Sequence, residues 1–205
     1  MSDGALKEIL RMIRDKLRLN AEDHILEVGC GAGMILKPLS RFCRVAGIDY
    51  SNSLIEIIRE TIPEGTFVCC EADDLPFDDG YFNKALSFSV FQYFDSLSYA
   101  GRTIDEMIRC TKEDGLILIC DVPDLSKRQA YEEERDKHET RGDFEAEMSH
   151  IFYPRGFFKD FCKERDIRCK IFNLHIEGYE NSRFRMNVLV NKRLDYLDPI
   201  EWYWR

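Results

Sequence analysis

Apolar residues recur along this chain with two periods, and the periods alternate. Leu6, Ile9, Ile13 and Leu17 follow helical spacing and predict an amphipathic helix over about 4–19. Short apolar runs then alternate with helical patterns as far as residue 122. The predicted strands are 24–28, 44–48, 66–70, 84–89 and 116–122, the predicted helices are 32–42, 51–60 and 98–110, and a turn is predicted at 113–115. This order requires a doubly wound, mainly parallel α/β sheet.

The pattern changes after residue 122. Residues 126–147 are rich in charge and poor in apolar side chains, which predicts a solvated helix with intrahelical charge pairs. A mobile lid over a substrate pocket is the alternative interpretation. Another helix is predicted at 154–165, and alternating residues at 167–177 and 184–192 predict an antiparallel strand pair. The whole sheet would then have seven strands.

The length of 205 residues fits a single domain, 1–205. We expect the N-terminal helix to be followed by a core at 20–122, a variable lid or substrate segment at 123–165 and closing strands at 166–192. Residues 193–205 contain both tryptophans, and we expect this aromatic tail to dock on its own domain. Capping of a pocket and contact with a second subunit are the alternatives.

Charge and composition narrow the classes of partner. A formal net charge of −9 disfavours a nucleic-acid partner, because such binding draws on basic patches. The chain has no apolar run of about 18 residues and no basic-then-apolar N-terminus, so we expect a cytoplasmic protein without a membrane partner. Eight cysteines without a C-x-x-C pair indicate reduced, mostly buried thiols, and four scattered histidines predict no metal site.

A glycine-rich stretch follows the first predicted strand. Residues 25–33 read Ile-Leu-Glu-Val-Gly-Cys-Gly-Ala-Gly, and Asp49 ends the next strand, where its carboxylate can accept hydrogen bonds from ribose hydroxyls. Both a dinucleotide and S-adenosylmethionine fit this chemistry. The dinucleotide fingerprint needs a third glycine where Met34 stands, and Glu27 suits an ammonium or sulfonium group better than a pyrophosphate. The spacing therefore favours a cationic ligand.

Four blocks, in order, carry a family resemblance: EVGCGAG, GIDYS, EADDLPFDDGYFN and SFSVFQYF. They resemble the class I S-adenosylmethionine-dependent methyltransferases of the type 11-like group. The resemblance is strong over residues 20–122 and weaker to about residue 192. It implies a Rossmann-like methyltransferase fold and S-adenosyl-L-methionine as the cofactor.

The resemblance also assigns cofactor contacts. Gly29, Gly31 and Gly33, with Cys30 among them, would support the methionine and ribose portions, near Glu27. Asp49 would bind the ribose, and Tyr50 would pack on the adenine. These assignments place the cofactor at the carboxyl ends of the first two strands.

Two later blocks complete the implied cofactor site. The Ala72 backbone and one of the acids Glu71 and Asp73 would bind the adenine amino group; the family more often has aspartate at position 71. Ser87 and Phe88, which close the fourth strand, would contact the methionine end.

The sequence does not fix a catalytic residue. Methyl transfer is an in-line displacement that succeeds mainly by alignment and exclusion of water, although a hydroxyl acceptor needs a base. His150 and Tyr153 are candidates for that base, with a core or capping histidine as the alternative for His150. Tyr93 is a further candidate, and Gln92 and Tyr93 are expected at the pocket mouth.

Two arginines suggest an anionic substrate. Arg183 and Arg185 alternate with apolar residues, which predicts that they share one strand face and bind a carboxylate or phosphate. Solvated charges on an edge strand are the alternative.

These observations favour an enzyme of the methyltransferase class, EC 2.1.1, that methylates an oxygen or nitrogen of a small molecule. A cofactor-binding regulatory or partner subunit without turnover is the alternative from another class. An NAD-dependent oxidoreductase is less favoured because of Met34 and Glu27.

Overall fold

A computed structural model of the protein describes residues 1–136 and 150–192. Strands and helices alternate in the order that the hydrophobic pattern predicts. The strands are β1 (His24–Val28), β2 (Arg44–Asp49), β3 (Thr66–Cys69), β4 (Phe82–Phe88), β5 (Thr111–Pro123), β6 (Arg168–Phe172) and β7 (Arg185–Asn191). The helices are α1 (Asp3–Leu17), α2 (Leu36–Leu39), α3 (Asn52–Thr61), α4 (Leu97–Cys110), α5 (Arg128–Asp136) and α6 (Arg155–Glu164).

The strands form one seven-stranded sheet in the order β3-β2-β1-β4-β5-β7-β6. Strands β1 to β5 are parallel, whereas β7 runs antiparallel to both β5 and β6. The predicted doubly wound sheet with a C-terminal antiparallel pair is therefore confirmed. The strand order reverses between β1 and β4, and ligands of such sheets bind at the carboxyl ends of the strands beside this reversal.

Helices cover both faces of the sheet because each helix buries one apolar stripe. Ile9, Ile13 and Leu17 of α1 join residues of α2 and α3 in one core layer, and residues of α4 and α6 pack on the opposite face. Ser2 caps α1 by accepting a hydrogen bond from the Ala5 amide at 3.2 Å. The strand β1 is buried along its whole length between these two layers.

Three predicted elements differ from the structure. The strand expected at 167–177 ends at Phe172 as β6. The helix expected at 32–42 is a single turn, because Gly31 and Gly33 have positive φ angles and Pro38 contributes no amide donor. The turn expected at 113–115 lies inside β5, whose pairing with β4 shifts from Phe82↔Thr111 to Lys84↔Leu116. The extra residues form an exposed irregularity that the strand absorbs.

Other segments are described only in part. The predicted charged helix at 126–147 contains α5, where Arg128 and Glu132 form a pair at 2.7 Å, but residues 137–149 lie outside the described part. The aromatic tail at 193–205 also lies outside it. No helix within 1–136 or 150–192 has the length and hydropathy needed to cross a bilayer. Single-domain organisation and cytoplasmic location stay predictions.

Candidate active site

The loop at residues 29–33, here called the glycine loop, joins β1 to the short α2. Gly29, Gly31 and Gly33 have φ angles of 77°, 51° and 88°. A Cβ at Gly29 would lie 2.3 Å from a Val90 methyl, whereas a Cβ at Gly31 would meet no atom of the described chain within 4 Å. Gly29 is therefore required by packing, and Gly31 borders open space where a ligand can approach the backbone.

Asp49 ties the glycine loop to the end of β2. One carboxylate oxygen accepts a hydrogen bond from the Gly31 amide at 2.9 Å, and the other accepts one from the Ser51 amide at 3.0 Å. Each oxygen of an ionised carboxylate has a further lone pair for a ribose hydroxyl. Tyr50, beside it, is 78% exposed, so its ring is available to pack on a ligand.

Glu27 provides the test of whether the site suits a cationic cofactor. Its side chain is buried, and Oε2 has no hydrogen-bond partner among the described residues. Burial, and secondarily the nearby charge of Asp49, raise the pKa of Glu27 well above its ordinary value. A cation bound near these two acids would satisfy the orphaned oxygen, so the residues fit S-adenosylmethionine, which carries an ammonium and a sulfonium.

The Cys30 thiol lies in the core. The side chain is buried against Gly47, since a Cβ at that glycine would lie 2.7 Å from the Cys30 sulfur. Burial raises the pKa of the thiol, and the Cys30 amide donates to the Ile48 carbonyl at 2.8 Å.

The expected adenine site is held by a tyrosine of α4. The Tyr99 hydroxyl accepts a hydrogen bond from the Ala72 amide at 3.1 Å and donates one to Glu71 at 2.7 Å. Burial and the hydrogen bond to Glu71 raise the pKa of Tyr99 to about 12. Asp73 instead forms an ion pair with Arg102 at 2.9 Å. The structure thus groups Glu71 with the Ala72 amide and directs Asp73 to another partner.

The end of β4 carries buried polar groups. Ser87 and Phe88 are buried, and the Ser87 hydroxyl has no partner within the described chain. Ser89 follows with a φ angle of 59°, in the left-handed region that non-glycine residues rarely adopt. Gln92 is buried rather than at an open mouth, and its amide donates to the carbonyl and hydroxyl oxygens of Ser89 at 2.9 and 2.8 Å.

The candidate bases lie in different surroundings. Tyr153 is completely buried, and its hydroxyl donates to the Phe91 carbonyl at 2.8 Å, so Tyr153 packs in the core and this geometry does not support it as the base. The ring of His150 meets the ring of Tyr93 edge-on, with centroids 5.4 Å apart. Tyr93 is 55% exposed, so this pair lies at the surface beside the end of β4.

The two arginines do not share a strand face, contrary to the sequence prediction, because β7 begins only at residue 185. Arg183 lies in the 3-10 helix Glu180–Phe184 and pairs at the surface with Glu180 and Glu134 at 3.2 and 3.3 Å. Arg185 is buried, with its Nε 4.0 Å from Oδ1 of Asp121.

Arg185 belongs to a group of residues here called the polar cluster: Asp121, Tyr179, Arg185 and Asn187. Sequence reasoning missed the other three members. Tyr179 donates its hydroxyl hydrogen to Asp121 at 2.6 Å, and the Asp121 amide donates to the Asn187 side chain at 3.2 Å. Asp121 has a φ angle of 61°. An acid at the carboxyl end of strand five, placed as Asp49 is on β2, is the sequence signal that marks this position.

The sheet order, the glycine loop and the acids at its rim define an α/β domain that holds a nucleoside cofactor. A family model described as a methyltransferase domain matches residues 26–119. The malonyl-[acyl-carrier protein] O-methyltransferase of Acetivibrio thermocellus is 26% identical over 200 residues, which is 93% of this chain and 64% of that protein. A probable tRNA methyltransferase 9B of Homo sapiens is 35% identical over 95 residues, 46% of this chain and 20% of that protein.

A solved structure has the same fold. It is the complex between the Haloferax volcanii Trm112 methyltransferase activator and a candidate methyltransferase, with a TM-score of 0.68, 16% identity, and 93% of this chain and 94% of that chain covered. Residues 26–119 therefore match a methyltransferase domain, and the fold is that of class I S-adenosylmethionine-dependent methyltransferases, which use S-adenosyl-L-methionine as the cofactor. It spans 64% and 58% of the length of two malonyl-[acyl-carrier protein] O-methyltransferases that it matches.

Proposed function

We propose that the protein transfers the methyl group of S-adenosylmethionine to an oxygen or nitrogen of a small-molecule acceptor. The orphaned, buried carboxyl oxygen of Glu27 carries this proposal, because it marks a place for a cation beside the glycine loop. The match of residues 26–119 to a methyltransferase domain supports the same donor.

Different residues of the described chain would bind different parts of the cofactor. The free lone pairs of Asp49 would accept from the ribose hydroxyls, and the open side of Gly31 would admit the ribose and methionine portions. Glu27 would face the ammonium or sulfonium charge. Glu71 and the Ala72 amide would read the adenine edge once the Tyr99 hydroxyl leaves them, since an adenine edge offers the same donor and acceptor as that hydroxyl.

Methyl transfer requires little covalent chemistry from the protein itself. The acceptor atom must lie in line with the methyl carbon and lose a proton, and positive charge disperses as the new bond forms. The buried ends of β4 and β5 exclude water from this place.

A small acceptor is favoured over a nucleic acid by the net charge of −9. The match to the human tRNA methyltransferase covers 95 residues. That stretch is less than half of this chain, so the match by itself does not identify the acceptor. The match to the malonyl-[acyl-carrier protein] O-methyltransferase extends over 93% of this chain. Carrier-bound acyl groups therefore belong in an acceptor screen.

Calorimetric titration with S-adenosylmethionine, S-adenosylhomocysteine and NAD tests the donor. We expect binding of the first two, weakened about 100-fold or more in Asp49→Ala, because hydrogen bonds to a charged group contribute roughly 1.5–3 kcal/mol each. Asp105→Ala, which removes a surface ion pair to Arg165, is the control and should bind as the wild type does. Binding of NAD alone would overturn the proposal.

An acceptor screen with methyl-labelled donor separates an enzyme from a regulatory subunit. Labelled product from small molecules or carrier-bound acyl groups supports the proposal. Labelled product from tRNA alone would show that the acceptor is a nucleic acid and not a small molecule. Tight cofactor binding without transfer to any acceptor would favour the regulatory subunit.

A further inference from the structure

The polar cluster contains a buried cation whose hydrogen bonds are incomplete. Asp121 and Arg185 are 4% and 5% exposed, and two guanidinium nitrogens, Nε and Nη1, have no hydrogen-bond partner among residues 1–136 and 150–192. Unsatisfied groups at this depth are costly and uncommon in folded proteins. The arrangement is therefore suited to a polar group that the chain itself does not supply.

A small cavity of about 20 Å³ adjoins these groups. Its polar side is formed by Asp121, Tyr179, Ser182, Arg185 and Asn187, and its apolar side by Ile9, Met12, Phe88, Leu174 and Ile176. A cavity of this size accommodates one group as large as a water molecule. The walls thus favour a single oxygen that the polar side binds, on a group whose neighbouring atoms are apolar and face the other side.

The backbone holds the Asp121 carboxylate in an unusual position. Ser89 directly follows β4, and Asp121 lies in the neighbouring strand β5, where the pairing with β7 is irregular; both have left-handed φ angles, 59° and 61°. The Ser89 side chain hydrogen-bonds to Asp121, while Tyr179 holds Oδ2 at 2.6 Å. Strained backbone of this kind persists where the surrounding contacts enforce it and is concentrated at functional sites.

The polar cluster lies beside the expected position of the reacting methyl group. β5 is the neighbour of β4, about 4.8 Å away, and β4 ends with Ser87 and Phe88, the residues expected at the methionine end of the cofactor. Phe88 also lines the cavity. A group bound between Asp121 and Arg185 is therefore separated by the spacing of one strand from the expected methionine end of the cofactor.

We propose that Asp121 and Arg185 bind the hydroxyl group of the methyl acceptor and that Asp121 accepts its proton, so that the acceptor is an apolar alcohol or phenol. This inference rests on the proposed function. The hydroxyl oxygen accepts from Arg185 and donates to Asp121 Oδ1. As that oxygen bonds to the methyl carbon, the carbon–sulfur bond breaks with its electron pair left on sulfur as a neutral thioether, and the proton moves to Asp121.

Charge balance favours a hydroxyl over an anionic acceptor. Arg185 and Asp121 already offset each other, so a carboxylate between them would lie against the Asp121 charge. Arg185 instead stabilises the negative charge that develops on a hydroxyl oxygen as it loses its proton. Burial raises the pKa of Asp121, with Arg185 and the hydrogen bonds from Tyr179 and Ser89 opposing, which makes the carboxylate a better proton acceptor.

The test compares methylation of phenols and aliphatic alcohols with that of matched amines and carboxylic acids, using labelled S-adenosylmethionine and mass spectrometry. We expect product from hydroxyl compounds. Asp121→Asn should lower kcat about 100-fold or more, the range of general-base catalysis, and leave the Kd for S-adenosylhomocysteine within about twofold. Arg185→Gln should lower the rate about tenfold, and Asp105→Asn on the surface serves as the matched control.

The outcomes separate this inference from the proposed function. Failure of the wild type to bind S-adenosylhomocysteine removes the proposed function and the inference with it. Binding with transfer only to amines or carboxylates, with no transfer to any hydroxyl compound, or with full activity in Asp121→Asn overturns the inference alone. If Asp121→Asn does not fold, as judged by thermal unfolding, the Arg185→Gln rate and the acceptor preference of the wild type decide.

Discussion

The expected cofactor crevice lies at the carboxyl ends of the parallel strands. At β1 and β2, the groups that face this crevice come from residues 27–51 and include backbone amides, glycines and two acids. At β4, β5 and β7, the groups of the polar cluster and Ser89 are side chains gathered from across the chain. The first region is built by short-range geometry, with Asp49 holding amides of two neighbouring turns. The second is built by tertiary packing, with contacts spanning 58 and 66 residues.

This difference explains why the expected cofactor site could be predicted from the sequence and the polar cluster could not. Glycines at fixed spacing and an acid at a strand end are local requirements of a tight turn and a ribose contact. A buried network requires only that its members meet in space, so many sequences satisfy it.

The largest effect is expected within the glycine loop. Gly29→Ala places a Cβ 2.3 Å from Val90 at a φ angle of 77°, and overpacking with backbone strain should lower the free energy of unfolding by about 3 kcal/mol or more. Gly31→Ala is the matched control, since its Cβ meets open space; it should cost about 1–2 kcal/mol from strain. Denaturant unfolding measures both. Equal losses would show that conformation, not packing, dominates this loop.

A smaller effect of opposite sign is expected at Glu27. Because its pKa is raised in the folded protein, the folded state binds more protons than the unfolded state, and stability falls as pH rises above the ordinary value of 4.5. Glu27→Gln should remove that fall and stabilise the cofactor-free protein by about 1–3 kcal/mol at pH 7–8, while weakening S-adenosylmethionine binding. Thermal unfolding between pH 5 and 8 measures the change.

The same carboxyl-to-amide change contrasts the two regions. Asp121 has Tyr179 and Arg185 as partners, so Asp121→Asn should not stabilise the protein as Glu27→Gln does. A stabilisation of equal size in both variants would indicate that Tyr179 and Arg185 do not compensate for the burial of the Asp121 carboxylate.

The smallest effect concerns Tyr99, which lies over the expected adenine site. Tyr99→Phe frees the Ala72 amide and Glu71 from a competing hydroxyl, and a net hydrogen bond contributes about 1 kcal/mol. Affinity for S-adenosylmethionine should therefore rise about fivefold by calorimetry. Tyr93→Phe, which changes a tyrosine outside this contact, should leave affinity unchanged; weaker binding in Tyr99→Phe would mean that the hydroxyl supports the cofactor instead.

The fold was largely predictable because short, mainly apolar strand patterns alternate with helical patterns along the chain. β1 matches its predicted bounds. The helix expected at 32–42 is only one turn long because Gly31 and Gly33 have positive φ angles. Arg183 and Arg185 were placed together wrongly because the start of β7 depends on pairing with β5 and β6, which local periodicity does not encode.

The position of β7 also bears on how the protein forms during synthesis. β6 precedes β7 in the chain but lies outside it in the sheet, so β6 gains its pairing only after residues 185–191 leave the ribosome. Until then the edge of β5 exposes unpaired backbone in a nascent chain whose cofactor-binding strands are already complete. The proposed acceptor site, which needs Arg185 and Asn187, is therefore the last part of the crevice to form.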